Sequence, residues 1–342
     1  MIKRIELIEF LKGFSILTIV IFHYLQTFHW QHLAGKLIFF GGTGVHLFIF
    51  LSGFGLYFSY LHKPVTFTQF LKKRISKVYI PYLIIVIISA LIACLIPVYE
   101  GSWYAFGGHI FLYKMFDESI IGSYGYPLWF ISLIMQFYFM FYLFLGIIKK
   151  TGIKYFLYLS FLLSFFWVIY IIFSGKDIYR VWNSFFLKYL WEFSLGMFLA
   201  DKYKKQNYSL QAGLKPAAVL FTGIAGCFLY AILALKAGII GKMVNDIPAL
   251  IGYTFIAVWI YNLKHDIINR FVLFIGKISY SLYLVHTLVI MIITYYLKDL
   301  WHPVLIILSF IISVCVAILY NSIYNKTEYK IFNYNYPFNK LI

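Results

Sequence analysis

Lys12 and His23 are eleven residues apart, close to three full turns at 3.6 residues per turn, so a helix would carry both on one face. An imidazole titrates near 6.5 when unperturbed. It can therefore take a proton from a reacting hydroxyl and return it, which is general-base chemistry. His23 is the candidate base. Glu9 precedes Lys12 by three residues and is placed to pair with it. His286 and Ser279 lie seven apart, again on one helical face, and Glu192 is an isolated acid within an apolar stretch. Glu192 is a candidate to orient His23 or His286. Ser279 and His286 do not read as a nucleophile and its base, because no G-x-S-x-G turn accompanies them. The plainer alternative is that these groups join helices by hydrogen bonds.

Other sites are weaker. His29 and His32 form H-x-x-H without a neighbouring Asp, Glu or Cys, so no metal site is expected. Cys94, Cys227 and Cys315 all fall in apolar segments and read as packed thiols, with neither a disulfide framework nor zinc spacing.

Composition defines the elements that must position these groups. Of 342 residues, 63% are hydrophobic, 22% aromatic and 12% charged. Soluble domains carry about 25% charged residues, and the apolar runs here approach the roughly 20 residues that cross a bilayer. The expected fold is all-α: a polytopic integral membrane protein of about ten spanning helices, with both termini inside and a polar cavity near the midplane. The helices are predicted at 13–31, 40–61, 79–98, 128–148, 155–173, 185–201, 216–235, 246–263, 278–297 and 303–322. Residues 1–342 read as a single transmembrane domain, without a separate soluble domain or a repeat. The first run reads as a helix rather than a cleaved signal peptide.

The formal net charge of +17 does not indicate a nucleic-acid partner. Its Lys and Arg sit in short groups between apolar runs, and most fall on one side, as the positive-inside rule expects. Two connections stand out: a basic loop at 62–78, and a long outer segment at 99–127 containing Glu100, Asp117 and Glu118.

Depth supports a shared cavity, because membrane-embedded polar groups face the bundle interior or water. At 1.5 Å per residue, His23 lies roughly 16 Å beyond Lys12, His286 roughly 13 Å beyond Lys277 and Glu192 about 15 Å beyond Lys202. Ser52 falls near the middle of its helix, and Gln136 a little further out.

In this arrangement the chain resembles the acyltransferase 3 family, membrane acyltransferases of bacterial surface polysaccharides. Glu9, Lys12 and His23 stand where that family has an acid, an Arg and a His. The segment from Gly44 to Phe54, GVHLFIFLSGF, is similar to G-V-x-L-F-F-x-L-S-G-F. Phe70 to Tyr82, FLKKRISKVYIPY, resembles the family's basic loop, with Arg74 and Lys77 in place of R-x-x-R. Trp129-Phe130, Gln136-Phe137-Tyr138, Gly196-Met197 and the run from Ile275 to His286 continue the likeness in order. There are departures. Lys stands for Arg at positions 12 and 77, which exchanges a planar fork for a point charge. Ile134 and Met135 replace the paired acids that many relatives place before Gln136.

The resemblance implies an O-acyltransferase of a multi-pass cell membrane, in all expectation the bacterial cytoplasmic membrane. It would move an acyl group, acetyl being the first candidate, from acetyl-CoA or another acyl-CoA to a hydroxyl of a surface or lipid-linked glycan. The acyl-CoA is a co-substrate, and no permanently bound cofactor is expected; membrane lipid is the other partner. Lys72, Lys73, Arg74 and Lys77 would hold the donor's phosphates. Ser52, Trp129, Gln136, Tyr138, Glu192, Ser279, Tyr280 and His286 would line the pocket, with Trp129 and Tyr138 stacking on a sugar or on adenine. The alternative is a transporter or flippase of a glycan, for which a midplane cavity would serve equally.

Overall fold

A computed structural model describes residues 5–28, 42–99, 101–206 and 215–332. His29, His32 and Glu100 lie outside these residues. Among the described residues every regular element is helical.

We number the helices α1 (Glu6–Gln26), α2 (Gly44–His62), α3 (Phe67–Leu95), α4 (Trp103–Ile110), α5 (Trp129–Thr151), α6 (Ile153–Phe173) and α7 (Phe186–Gln206). They continue as α8 (Pro216–Lys236), α9 (Gly238–Val244), α10 (Asp246–Asn262), α11 (Asp266–Lys277), α12 (Ser279–Tyr296) and α13 (His302–Phe332). Within the described residues each of the ten predicted stretches is occupied by a long helix, and positions 29–31 and 40–41 of the first two lie outside them. Eight helices among the described residues are long and apolar enough to span a membrane, and α9 with α10, bent by 48°, makes up to nine. The tenth, α7, is too charged to qualify: it carries Lys188, Glu192, Asp201 and a basic C-terminal turn. It is instead enclosed between α2 and α6.

Apolarity sorts the helices between lipid and interior. The α13 span has a mean hydropathy of 2.7 and α12 only 1.3, yet α12 is largely buried within the protein and α13 largely is not. A hydrocarbon exterior reverses the soluble rule, since the polar side chains need the bundle interior. The same sorting corrects the reading of the cysteines. All three are free thiols, but Cys94 and Cys315 lie on exposed faces rather than packed.

Four glycines set the central crossings. A Cβ on Gly53 of α2 would collide with the Phe193 carbonyl of α7, and one on Gly196 would collide with the Phe50 carbonyl. Gly13 of α1 and Gly276 of α11 do the same for each other's helices, against Val272 and Glu9. Small residues that bring backbones together are the usual packing device between membrane helices.

The segment read as a basic loop is helical from Phe67. Thr66 and Gln69 form a reciprocal capping box that starts α3. A π turn at Ile75–Tyr79 follows, in which the Ile80 N–H reaches the Ile75 carbonyl. In that register the Ser76 carbonyl would need the N–H of residue 81, but Pro81 has none. The Tyr324 hydroxyl donates to it instead. The Tyr280 hydroxyl serves Val78, and that of Tyr320 serves Pro81 at 2.7 Å.

The outer segment forms α4, a short turn at Tyr113–Phe116 and a return to α5. It is tied to α3 by Tyr82, whose hydroxyl lies 2.7 Å from His109 Nδ1. The His109 Nε2 lies 3.0 Å from the Ser123 carbonyl and 3.3 Å from the buried Lys114 amine. Burial holds the Lys114 pKa down at about 7.

Candidate active site

A cavity of about 970 Å³ runs between α1, α2, α3, α5, α12 and α13. Glu9, Lys12, Arg74, Lys77, Lys277 and Glu328 border one end, where Tyr138 lies against Arg74, and Ser52, Ser279 and Tyr280 also line the cavity. Tyr126, Trp129 and Arg180 border the other end, and His23 lies on the wall.

Two of the four donor-site candidates face this space. Arg74 and Lys77 line it, whereas Lys72 and Lys73 do not, and Lys72 is exposed. Arg74 is buried, with its guanidinium 5.4 Å from the Phe70 ring centre and 5.7 Å from that of Tyr138. Its Nε is buried without a hydrogen-bond partner.

His23 sits in the last turn of α1, because that helix starts and ends earlier than expected. Its Nδ1 lies 3.0 Å from Nε2 of His286, a residue near the middle of α12. The His286 Nδ1 is 2.8 Å from the Tyr283 carbonyl and 3.1 Å from the Leu282 carbonyl. A carbonyl only accepts, so Nδ1 of His286 carries its proton and Nε2 presents a lone pair. The Thr287 hydroxyl lies 3.2 Å from the same nitrogen. Two lone pairs would not approach to 3.0 Å, so His23 donates from Nδ1. Its Nε2 is then the unprotonated, basic nitrogen. The tautomer follows from the hydrogen-bond network. His286 is fully buried behind His23 and does not itself line the cavity, contrary to expectation.

Glu192 is also displaced from its expected role. Its carboxylate meets neither His23 nor His286 but lies 2.7 Å from Nδ1 of His46. The His46 Nε2 is 3.4 Å from Asp246, whose other oxygen lies 3.4 Å from the Lys188 amine. Each imidazole nitrogen thus faces one carboxylate, while Lys188 supplies a cation. The three ligand-type residues His46, Glu192 and Asp246 are close enough to hold a metal ion. The arrangement already satisfies much of its own charge, however, and is a polar cluster around the Lys188–Asp246 ion pair that reaches the cavity wall through His46. Helix direction explains the error: Glu192 faces α2 and the start of α10, because α7 crosses α2 at Gly53.

Gln136 likewise leaves the cavity, accepting from the Phe186 N–H at 3.3 Å near the start of α7. The sequence reading missed His46, Asp246, Lys188 and Arg180 as a set. His46 was visible within GVHLFIFLSGF, but nothing in the local spacing connects it with Asp246 or singles out Arg180.

The fold and cavity define a polytopic helical membrane protein with a polar site enclosed by its spans. A family model described as an acyltransferase domain matches residues 5–321. The chain belongs to the acyltransferase 3 family and is a membrane acyltransferase. Neither the curated proteins nor the solved structures gave a match.

Proposed function

We propose that this protein transfers an acyl group, acetyl in the simplest case, from acyl-CoA to a hydroxyl of a surface or lipid-linked glycan. The observation that carries the reading is the His23–His286 contact, which leaves His23 Nε2 basic on the wall of a cavity bordered by cations. The end bearing Lys12, Arg74 and Lys77 faces the cytoplasm and takes the donor. Phosphate oxygens of CoA there make charge-assisted hydrogen bonds.

In the reaction, His23 Nε2 removes the acceptor hydroxyl's proton as that oxygen bonds to the thioester carbonyl carbon. The tetrahedral intermediate collapses, the C–S bond breaks, and the departing thiolate takes the proton from the His23 imidazolium. Free CoA thiol and the glycan ester result. Glu9 and Lys12 shape the donor end of the cavity, and Ser52, Ser279 and Tyr280 position the reactants between the two ends.

The test is transfer of labelled acetyl from acetyl-CoA to a glycan acceptor by protein in lipid nanodiscs. Label should appear on the glycan and be lost in His23→Ala. Unchanged transfer in that variant would remove His23 from the mechanism. Glycan crossing vesicles without any acyl donor would favour transport instead.

A further inference from the structure

We infer that the cavity end opposite Lys12 recognises an anionic group on the acceptor, a carboxylate or a phosphate, through Arg180. The inference rests on the reading that the acceptor occupies this cavity, and it names the acceptor's chemical class.

Arg180 lies in the connection before α7 and borders the cavity beside Trp129 and Tyr126. Its guanidinium carbon stands 4.0 Å from the Trp129 ring centre and 5.6 Å from that of Tyr126. Two aromatic faces therefore hold the charged group in place. The main chain is fixed as well: the N–H groups of Arg180 and Val181 both donate to Glu118, each at 2.8 Å. Glu118 is thus engaged by backbone. Among the described residues no carboxylate forms an ion pair with the Arg180 side chain. The Nε is buried without a hydrogen-bond partner.

A guanidinium restrained in this way, with donors unspent, suits a planar or tetrahedral oxyanion. Arginine offers its N–H groups as a fork that matches carboxylate and phosphate geometry. A purely structural arginine would be expected to spend those donors on carbonyls or on Glu118. The cavity then has cations at both ends, Arg74 and Lys77 at one and Arg180 at the other. Two anionic substrates approach from opposite ends, and His23 lies on the wall that both reach. An acidic sugar and a diphosphate-linked sugar present the same chemistry to Arg180.

The experiment measures equilibrium binding to wild type, Arg180→Gln and Arg180→Lys in nanodiscs. The probes are a galacturonic acid trisaccharide, its neutral galactose counterpart and a short polyprenyl-diphosphate sugar. At least one charged probe should bind about tenfold or more tightly than the neutral one, a difference of about one decade in Kd. Arg180→Gln should abolish that preference while leaving neutral binding unchanged, and Arg180→Lys should keep part of it. Preference for the uronate probe identifies a sugar acid, and preference for the diphosphate probe alone identifies a lipid-linked acceptor. Equal binding of charged and neutral probes by wild type, or binding of none, overturns the inference. So does an equal loss for every probe in both variants whose unfolding midpoints match wild type. His23→Ala should retain the charge preference. A protein that binds selectively but never transfers would therefore sink the proposed reaction and spare this site.

Discussion

His23 Nδ1 lies 3.0 Å from His286 Nε2, and that contact decides which nitrogen of His23 is basic. His286 is itself fixed by the Tyr283 and Leu282 carbonyls of its own helix. A backbone-anchored imidazole therefore orients the candidate base.

Removing the acceptor for His23 should impair chemistry more than binding. His286→Phe is expected to lower kcat by about 10²-fold, at the low end of general acid–base contributions. The KM for acyl-CoA should stay near wild type. His286→Gln retains an oxygen that accepts from Nδ1–H and should recover part of the rate. Steady-state kinetics on the three proteins check this, and equal losses in both variants would reduce His286 to packing.

Only the cations that face the cavity should matter to the donor. Arg74→Ala and Lys77→Ala each lose a charge-assisted hydrogen bond worth about 1.5–3 kcal/mol, so acyl-CoA affinity should fall about 10- to 100-fold. Lys72→Ala should leave affinity unchanged, because Lys72 lies outside the cavity lining. Isothermal titration with a non-hydrolysable acyl-CoA separates these cases.

The buried Lys188–Asp246 pair carries a stability prediction. Lys188→Met leaves Asp246 and Glu192 sharing only His46, and breaking a buried pair costs about 3–5 kcal/mol. Adding Asp246→Asn should restore a large part of that loss. Unfolding midpoints in detergent would show it, and strict additivity of the two losses would contradict the pairing.

The crossing of α2 and α7 tolerates no added carbon. Gly196→Ala drives a Cβ into the Phe50 carbonyl and should cost about 1–3 kcal/mol through forced backbone shifts. The 2.7 Å contact between His46 and Glu192 spans the same two helices, so the variant should disturb the cluster as well as the fold.

The outer segment should respond to pH through Lys114. Its pKa in the fold is depressed to about 7 from an ordinary value of 10.5. Between these values the unfolded segment binds a proton that the folded one does not, so stability rises as pH climbs from about 7 towards 10.5. Below about 7 both states are protonated and the dependence on this group disappears. Hydrogen exchange across residues 101–125 should slow with rising pH after correction for intrinsic rates, and Lys114→Met should remove the trend.

Membrane residence, ten helical stretches and the family were legible in the residues themselves. Hydrocarbon length and apolarity are properties of consecutive residues, and the family's motifs are local strings. That His23, Arg74 and Lys77 would border one cavity was legible for the same reason, each standing within such a string. Misplacements arose where partners came from distant parts of the chain. Glu192 meets a histidine 146 residues away, and His23 meets one 263 residues away. Which face a helix turns inward depends on its neighbours, and here glycine contacts between carbonyls and missing Cβ atoms set that rotation. The tertiary structure alone therefore placed Glu192 on His46, withdrew Gln136 from the cavity and brought Arg180 to its rim over Trp129.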